Sequence, residues 1–273
     1  MEVIERVFRY SRPDVFKLYG LGDIHLGTTH CAEDEVRKTV NDIYKDPLAY
    51  WLGLGDYSEC ITPRDKRWDS SDNVIPDWLE QDNISYCQQK RVVELFKPIK
   101  DKCIGLLYGN HESSIRKYNH DNIHKNICDD LDVPNLGYSC FVHLVFRRKN
   151  SNDAHLIKLM ATHGTGGART EGGKINYLVR LMQDFEANIY LYAHTHGIQL
   201  YSPHALTTTD SLKIKSKGKI GVLTGCWFRT YTQGNVASYG EEKVYKPSRI
   251  GCPHFLISPD KGTIEGITPP IEV

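Results

Sequence analysis

Short apolar runs alternate along this chain with longer stretches in which apolar positions recur every three or four residues. The runs at 16–22, 49–54, 103–108, 155–161 and 188–193 read as buried strands. Between them Val36, Val40 and Ile43 recur at helical spacing, behind the acidic residues Glu33, Asp34 and Glu35, which the helix dipole favours in a first turn. A second helix is expected over 81–97, burying Ile84, Cys87, Val92 and Leu95 and closed by Pro98. A third carries Ile175, Leu178, Met182 and Phe185 on one face. Residues 113–131 read as a polar helix, and 138–147 alternates like a half-buried strand. The last third is strand and turn material at 198–201, 204–219, 220–225 and 253–257, and the residues before 16 read as a lead-in. The strand, helix, strand order over 16–54 predicts a βαβ unit whose loops line one edge of a sheet.

The way these runs end points to chemistry. Residues 18–22 lead into Asp23-Ile24-His25, residues 50–55 into Asp56, and residues 103–108 into Gly109-Asn110-His111-Glu112. The strand at 155–161 stops at Thr162-His163-Gly164, and that at 188–193 at His194-Thr195-His196. Isolated charges and imidazoles at buried strand ends cost stability unless they are paired or hold a metal. Asp23, His25, Asp56, Asn110, His163, His194 and His196 supply carboxylate, amide and imidazole donors with no thiolate, a set suited to Mn²⁺, Fe or Zn²⁺. Seven donors exceed the needs of one tetrahedral ion and fit a pair sharing a carboxylate. Two ions about 3.5–4 Å apart can activate a bridging hydroxide and clamp phosphate oxygens.

Composition narrows the setting. Lys plus Arg and Asp plus Glu each total 34, so any phosphate-binding surface must be local. The eight cysteines form no C-x-x-C pair, which argues against a zinc ribbon or a redox dithiol and for reduced, mostly core residues. The charged N-terminal stretch lacks an apolar signal region, and no run approaches the roughly 20 residues of a membrane helix. A cytoplasmic protein with no membrane partner is expected.

The polar stretch 57–80 holds Arg64, Arg67, Trp68 and Trp78, and reads equally as a solvated insertion or as a lid over the site. The glycine-rich stretch 164–174 matches no Walker loop; it is a flexible connection or, through Arg169, a phosphate contact that closes on the site. Lys213, Lys215, Lys217 and Lys219 would share one face of a strand, more in keeping with a guarded edge than with a nucleic-acid contact. Trp227, Phe228, Arg229 and Tyr231 could stack on a base, although aromatics after a strand more often enter the core.

Taken in order, Gly22-Asp23-Ile24-His25, Gly55-Asp56, Gly109-Asn110-His111-Glu112, His163-Gly164 and His194-Thr195-His196 resemble the five motifs of the calcineurin-like metallophosphoesterases. The resemblance spans roughly residues 18–197. It implies one domain over 1–273, with insertions near 57–80 and 113–135, folded as a four-layer α/β/β/α sandwich of two mixed sheets flanked by helices. It implies Asp23, His25 and His196 on one divalent ion, Asn110, His163 and His194 on a second, Asp56 bridging, and His111 as general acid. Mn is favoured over Fe or Zn. Gly55-Asp56-Tyr57-Ser58 lacks the Asp-Arg-Gly continuation of the phosphoprotein phosphatases, so the phosphate-gripping arginine is missing there, and Arg64, Arg67 or Arg169 are the candidates to replace it. Glu112 is either an acceptor that orients its neighbours or a family marker. The opening Gly-Asp-x-His-Leu-Gly resembles the repair nucleases of the family, which favours a phosphodiesterase acting on a nucleotide or nucleic acid. The alternatives are a phosphomonoesterase or protein phosphatase, and a non-catalytic metal-binding scaffold.

Overall fold

The computed structural model describes residues 1–63, 65, 68 and 74–271. In chain order its elements are β1 (Glu2–Tyr10), β2 (Phe16–Leu21), α1 (Glu33–Lys45), β3 (Ala49–Leu54), α2 (Ile84–Phe96), β4 (Cys103–Leu107), α3 (Asn110–Asn119), α4 (Ile123–Leu131), β5 (Ser139–Arg148), β6 (Ala154–Thr162) and α5 (Glu171–Asp184). They continue as β7 (Ile189–Tyr192), β8 (Ile198–Tyr201), β9 (His204–Thr208), β10 (Ile214–Gly218), β11 (Ile220–Thr224), α6 (Tyr239–Glu242), β12 (His254–Ser258) and β13 (Thr263–Ile267).

Two mixed sheets face each other. One runs β1-β5-β6-β7-β11-β8 and the other β13-β12-β2-β3-β4. Strands β2, β3 and β4 are mutually parallel, as are β6, β7 and β11. The runs that form them are apolar on both faces because both faces are covered. Between the sheets lies a core that includes Phe16, Leu54, Leu107, Phe146, Leu191 and Phe255. Outside the second sheet, α1, α2 and α4 close a core around Trp51, Phe96 and Ile127. Outside the first, Leu178 and Met182 of α5 pack with Tyr190 and Leu223. These are the four layers, α/β/β/α, that the motif resemblance implies.

Several expectations need correction. The lead-in contains β1, whose alternating Glu and Arg positions hide a strand with Phe8 and Tyr10 buried and the intervening residues largely exposed. The expected helix over 113–131 is two helices, broken at His120 by a left-handed C-cap at φ 55°. The first of them starts at Asn110, so the motif behind β4 is a helical turn rather than a loop. Pro98 does not end helical structure. It opens the 3-10 helix Lys97–Lys102, where its missing N–H is no loss. The lysine-bearing strand β10 pairs only with β9, in a two-stranded ribbon, and Lys217 reaches Glu186 at 2.5 Å. The eight cysteines are free, and six of them are buried. Trp68 and Trp78 pack on Ile75, Leu79 and Ile84 and pin the described part of the long excursion to the body.

Candidate metal centre

Asp23 and His25 follow β2, Asp56 follows β3, Asn110 opens α3 behind β4, His163 follows β6, and His194 and His196 follow β7. The strand ends interlock through their backbones. Asp23 N donates to Gly55 O at 2.9 Å, Ile24 N to Asp56 O at 2.8 Å, and Trp227 N to Asp23 O at 3.0 Å. A Cβ on Gly109 would stand 2.0 Å from Asp56 Oδ1, so only glycine lets β3 and β4 deliver their residues this close together. Asp23, His25, Asp56, His194 and His196 hold φ of 52°, 58°, 52°, 66° and 52°. Left-handed backbone costs a non-glycine residue on the order of 1–3 kcal/mol, and such strain gathers at functional sites where it aims side chains.

The donor atoms converge. Those of Asp23, His25 and His196 lie within 4.8 Å of one another, as do those of Asp56, His163 and His194, and a third set of His25, Asp56 and His111 joins the two. His25 Nε2 and His196 Nε2 are 3.2 Å apart, and Asn110 Oδ1 is 3.0 Å from His163 Nε2. Each of three imidazoles is anchored through Nδ1, leaving Nε2 for the centre. His163 Nδ1 donates to the Leu54 carbonyl at 2.7 Å, His111 Nδ1 donates to the Glu59 carbonyl, and His25 Nδ1 lies 2.8 Å from Glu59 Oε2.

Asp23 Oδ2 accepts from His194 N at 2.8 Å, while the buried Oδ1 has no hydrogen-bond partner among the described residues; the nearby His196 Nε2 is 3.5 Å away. A buried, orphaned carboxylate oxygen surrounded by imidazoles fits a cation. The electrostatics of the metal-free chain agree. Burial raises the Asp56 carboxyl, but His163 and His111 more than offset this and hold it well below the usual carboxylate range. Burial lowers the His163 imidazole, and the Asp56 carboxylate more than reverses that, leaving it at about 9. Acid–imidazole pairs thus occupy the places where metal–donor bonds could form.

Two facing sheets flanked by helices, with the motif residues gathered at strand ends, make up the four-layer arrangement that the motif resemblance implies. No protein-family model matches the chain, and no curated protein matches it. Among solved structures it is similar to a metallophosphoesterase from Sphaerobacter thermophilus, at 10% identity and TM-score 0.41, over 93% of this chain and 89% of that one. It is similar to an uncharacterized protein described as a predicted phosphoesterase from Streptococcus pneumoniae, at 11% identity and TM-score 0.34, over 93% and 98% of the two chains. It is also similar to Chaetomium thermophilum Vps29, at 11% identity and TM-score 0.38, over 92% and 97%. Likenesses this distant carry no statement about activity.

A cavity of about 800 Å³ opens onto the centre, lined by His25, His111, His194 and His196. Arg169 is in its wall, with its guanidinium 5.1 Å from the Tyr245 ring centre. Arg64 and Arg67 lie outside the described residues. Phe228 packs edge-on against His25 at 5.4 Å, whereas Trp227 is fully buried in the core, as expected of aromatics after a strand.

Two residues gain roles that their sequence context left open or hid. The buried Glu112 carboxylate accepts from the backbone N–H groups of Gly109 at 2.8 Å, Asp56 at 2.9 Å and Tyr57 at 2.7 Å. It therefore clamps the loop behind β3 to the start of α3. Glu59 was not among the expected site residues. It stands where the phosphatase motif Gly-Asp-x-x-Asp has its second aspartate, and it holds His25 with its side chain and His111 with its carbonyl. Reading Glu59 as a carboxylate that keeps the charge of that motif position, rather than as a departure, would have found it.

Proposed function

We propose that this chain is a dimetal phosphoester hydrolase, and that its substrate is a phosphodiester of a nucleotide or nucleic acid. The observation that carries this reading is the convergence of two donor groups sharing the neighbourhood of Asp56, with an orphaned buried Asp23 oxygen, at the floor of a cavity. Asp23, His25 and His196 would hold one divalent ion, and Asn110, His163 and His194 the other. Asp56 would lie between them, with Mn²⁺ the favoured metal. When bound, such a pair supplies charge that clamps phosphate oxygens and lowers the pKa of water.

The chain's own residues supply the rest. His111, anchored through Nδ1 to the Glu59 carbonyl, turns Nε2 into the cavity, 4.0 Å from Asp56 Oδ2. From there it can donate a proton to the leaving oxygen. Glu59 fixes the tautomer and direction of His25, and Arg169 offers a charge in the cavity wall. The test is turnover of bis-p-nitrophenyl phosphate beside p-nitrophenyl phosphate by the Mn²⁺-loaded chain. Diester hydrolysis is expected to exceed monoester hydrolysis. No turnover of either with metal demonstrably bound would overturn the hydrolase reading, and turnover of the monoester alone would remove the diester preference.

A further inference from the structure

The second motif of this chain lacks the arginine that would grip a phosphate, yet the cavity wall holds a cation that no motif points to. Lys174 sits in the first turn of α5, half-buried, and lines the cavity with His194 and His196. Its side chain lies across Gly197, the residue after His196. A Cβ built on Gly197 would meet Lys174 Cδ at 3.2 Å and Nζ at 3.8 Å. The absence of a side chain at 197 is what lets the ammonium lie beside the last donor loop. Among the described residues its Nζ makes no hydrogen bond or ion pair, although Glu171, one turn away, is engaged by Lys246 at 3.7 Å. A lysine that is half-buried, unpaired and directed into a cavity costs desolvation with no return in the free protein. An anionic ligand would supply the missing partner.

The surrounding charges favour the same ligand. Arg169, Lys174, Lys243 and Lys246 face the cavity against the carboxylates Glu59 and Glu242. The four cations outnumber the two carboxylates, which leaves the wall with an excess of positive charge. Arg169 lies farther along the same wall, on Tyr245, as a second cation for an anion larger than one phosphate. The bounded volume is that of a small-molecule pocket rather than a groove that tracks a polymer.

Resting on the hydrolase reading above, we propose that the segment 166–174 forms an anion subsite in which Lys174 grips the reacting phosphate and Arg169 a second anionic group. The substrate class is then a compact phosphoester carrying at least two phosphates, of nucleotide size. Lys174 would supply, from a different part of the chain, the cation that the second motif lacks.

The experiment is calorimetric titration of the Mn²⁺-loaded full chain with inorganic phosphate and with pyrophosphate at fixed free Mn²⁺, metal content being measured after each titration. Pyrophosphate is expected to bind more tightly than phosphate. Lys174→Ala is expected to weaken both by about 10-fold or more, since a charge-assisted hydrogen bond is worth 1.5–3 kcal/mol, and Lys174→Arg to recover most of that loss. Arg169→Ala is expected to weaken pyrophosphate alone. Metal content should be unchanged throughout. Unchanged phosphate binding in Lys174→Ala would overturn the proposal, as would loss of metal in that variant or equal binding of the two anions by the wild type. Binding is read without turnover, so a failure of the hydrolase reading, seen with the nitrophenyl esters, remains distinguishable from a failure of the subsite.

Discussion

His111 and Glu112 are neighbours with separate tasks. The His111 amide donates to Asp56 Oδ1 at 2.9 Å while its ring lines the cavity, a placement in keeping with the general-acid role proposed for it. His111→Asn is expected to keep metal content near wild type and to lower turnover by about 10²–10⁴, the span for losing a general acid. Metal analysis beside kinetics checks it, and equal loss of metal would make His111 a ligand. Glu112 acts on the chain instead. Its buried carboxylate satisfies three backbone donors drawn from two strand ends, and Gln in its place would turn an amide N–H toward some of them. Glu112→Gln is expected to destabilise the metal-free protein by about 2–4 kcal/mol, measured as a lower urea midpoint. The sequence left Glu112 open between an orienting acceptor and a family marker; that its carboxylate clamps residues 56 and 57 could not be read there, because those donors arrive from another strand.

At the scale of elements, α4 carries a second buried histidine with no part in the centre. His124 packs against Tyr57 and Tyr108, bonds Asn135 Oδ1 at 3.1 Å through Nε2, and leaves its buried Nδ1 without a partner among the described residues. Burial lowers its pKa to about 4. The unfolded chain takes up this proton near 6.5 and the folded chain only near 4, so the unfolded state binds more protons between those values. The contribution is full above pH 6.5 and is lost as pH falls toward 4, by roughly 3 kcal/mol from the size of that shift. Urea melts at pH 7, 5.5 and 4 are expected to show a steeper fall for the wild type than for His124→Gln. The donor-bearing strands were legible as elements because their apolar runs are continuous and end abruptly. Strand β1 was not, since its outward residues are charged and its register is set by β5, Phe8 lying opposite Phe146.

Across the whole molecule, a metal held at the centre would couple binding to stability. The metal-free chain holds buried acid–imidazole pairs, and a cation that binds only the folded state stabilises it in proportion to RT ln(1 + [L]/Kd), about 2.7 kcal/mol at a hundredfold excess over Kd. Chelation is therefore expected to lower the melting temperature. Because His163, held at about 9, must lose its proton to become a donor, metal affinity is expected to rise as pH goes from 6 to 9, with protons released on binding. Isothermal titration in buffers of different ionisation enthalpy checks both the sign and the count. The sequence by itself determined the order of donors and the strands that carry them, because buried parallel strands and their polar ends leave a local signature. It also placed Asn110 and His111 at the end of β4 as candidate donors, while leaving Glu112 open. Only the tertiary structure decided that Glu59 aims His25, that Glu112 joins two strand ends, and that Lys174 lies against Gly197. Each of those contacts pairs residues distant in the chain, and their meeting depends on how two sheets pack rather than on any local pattern.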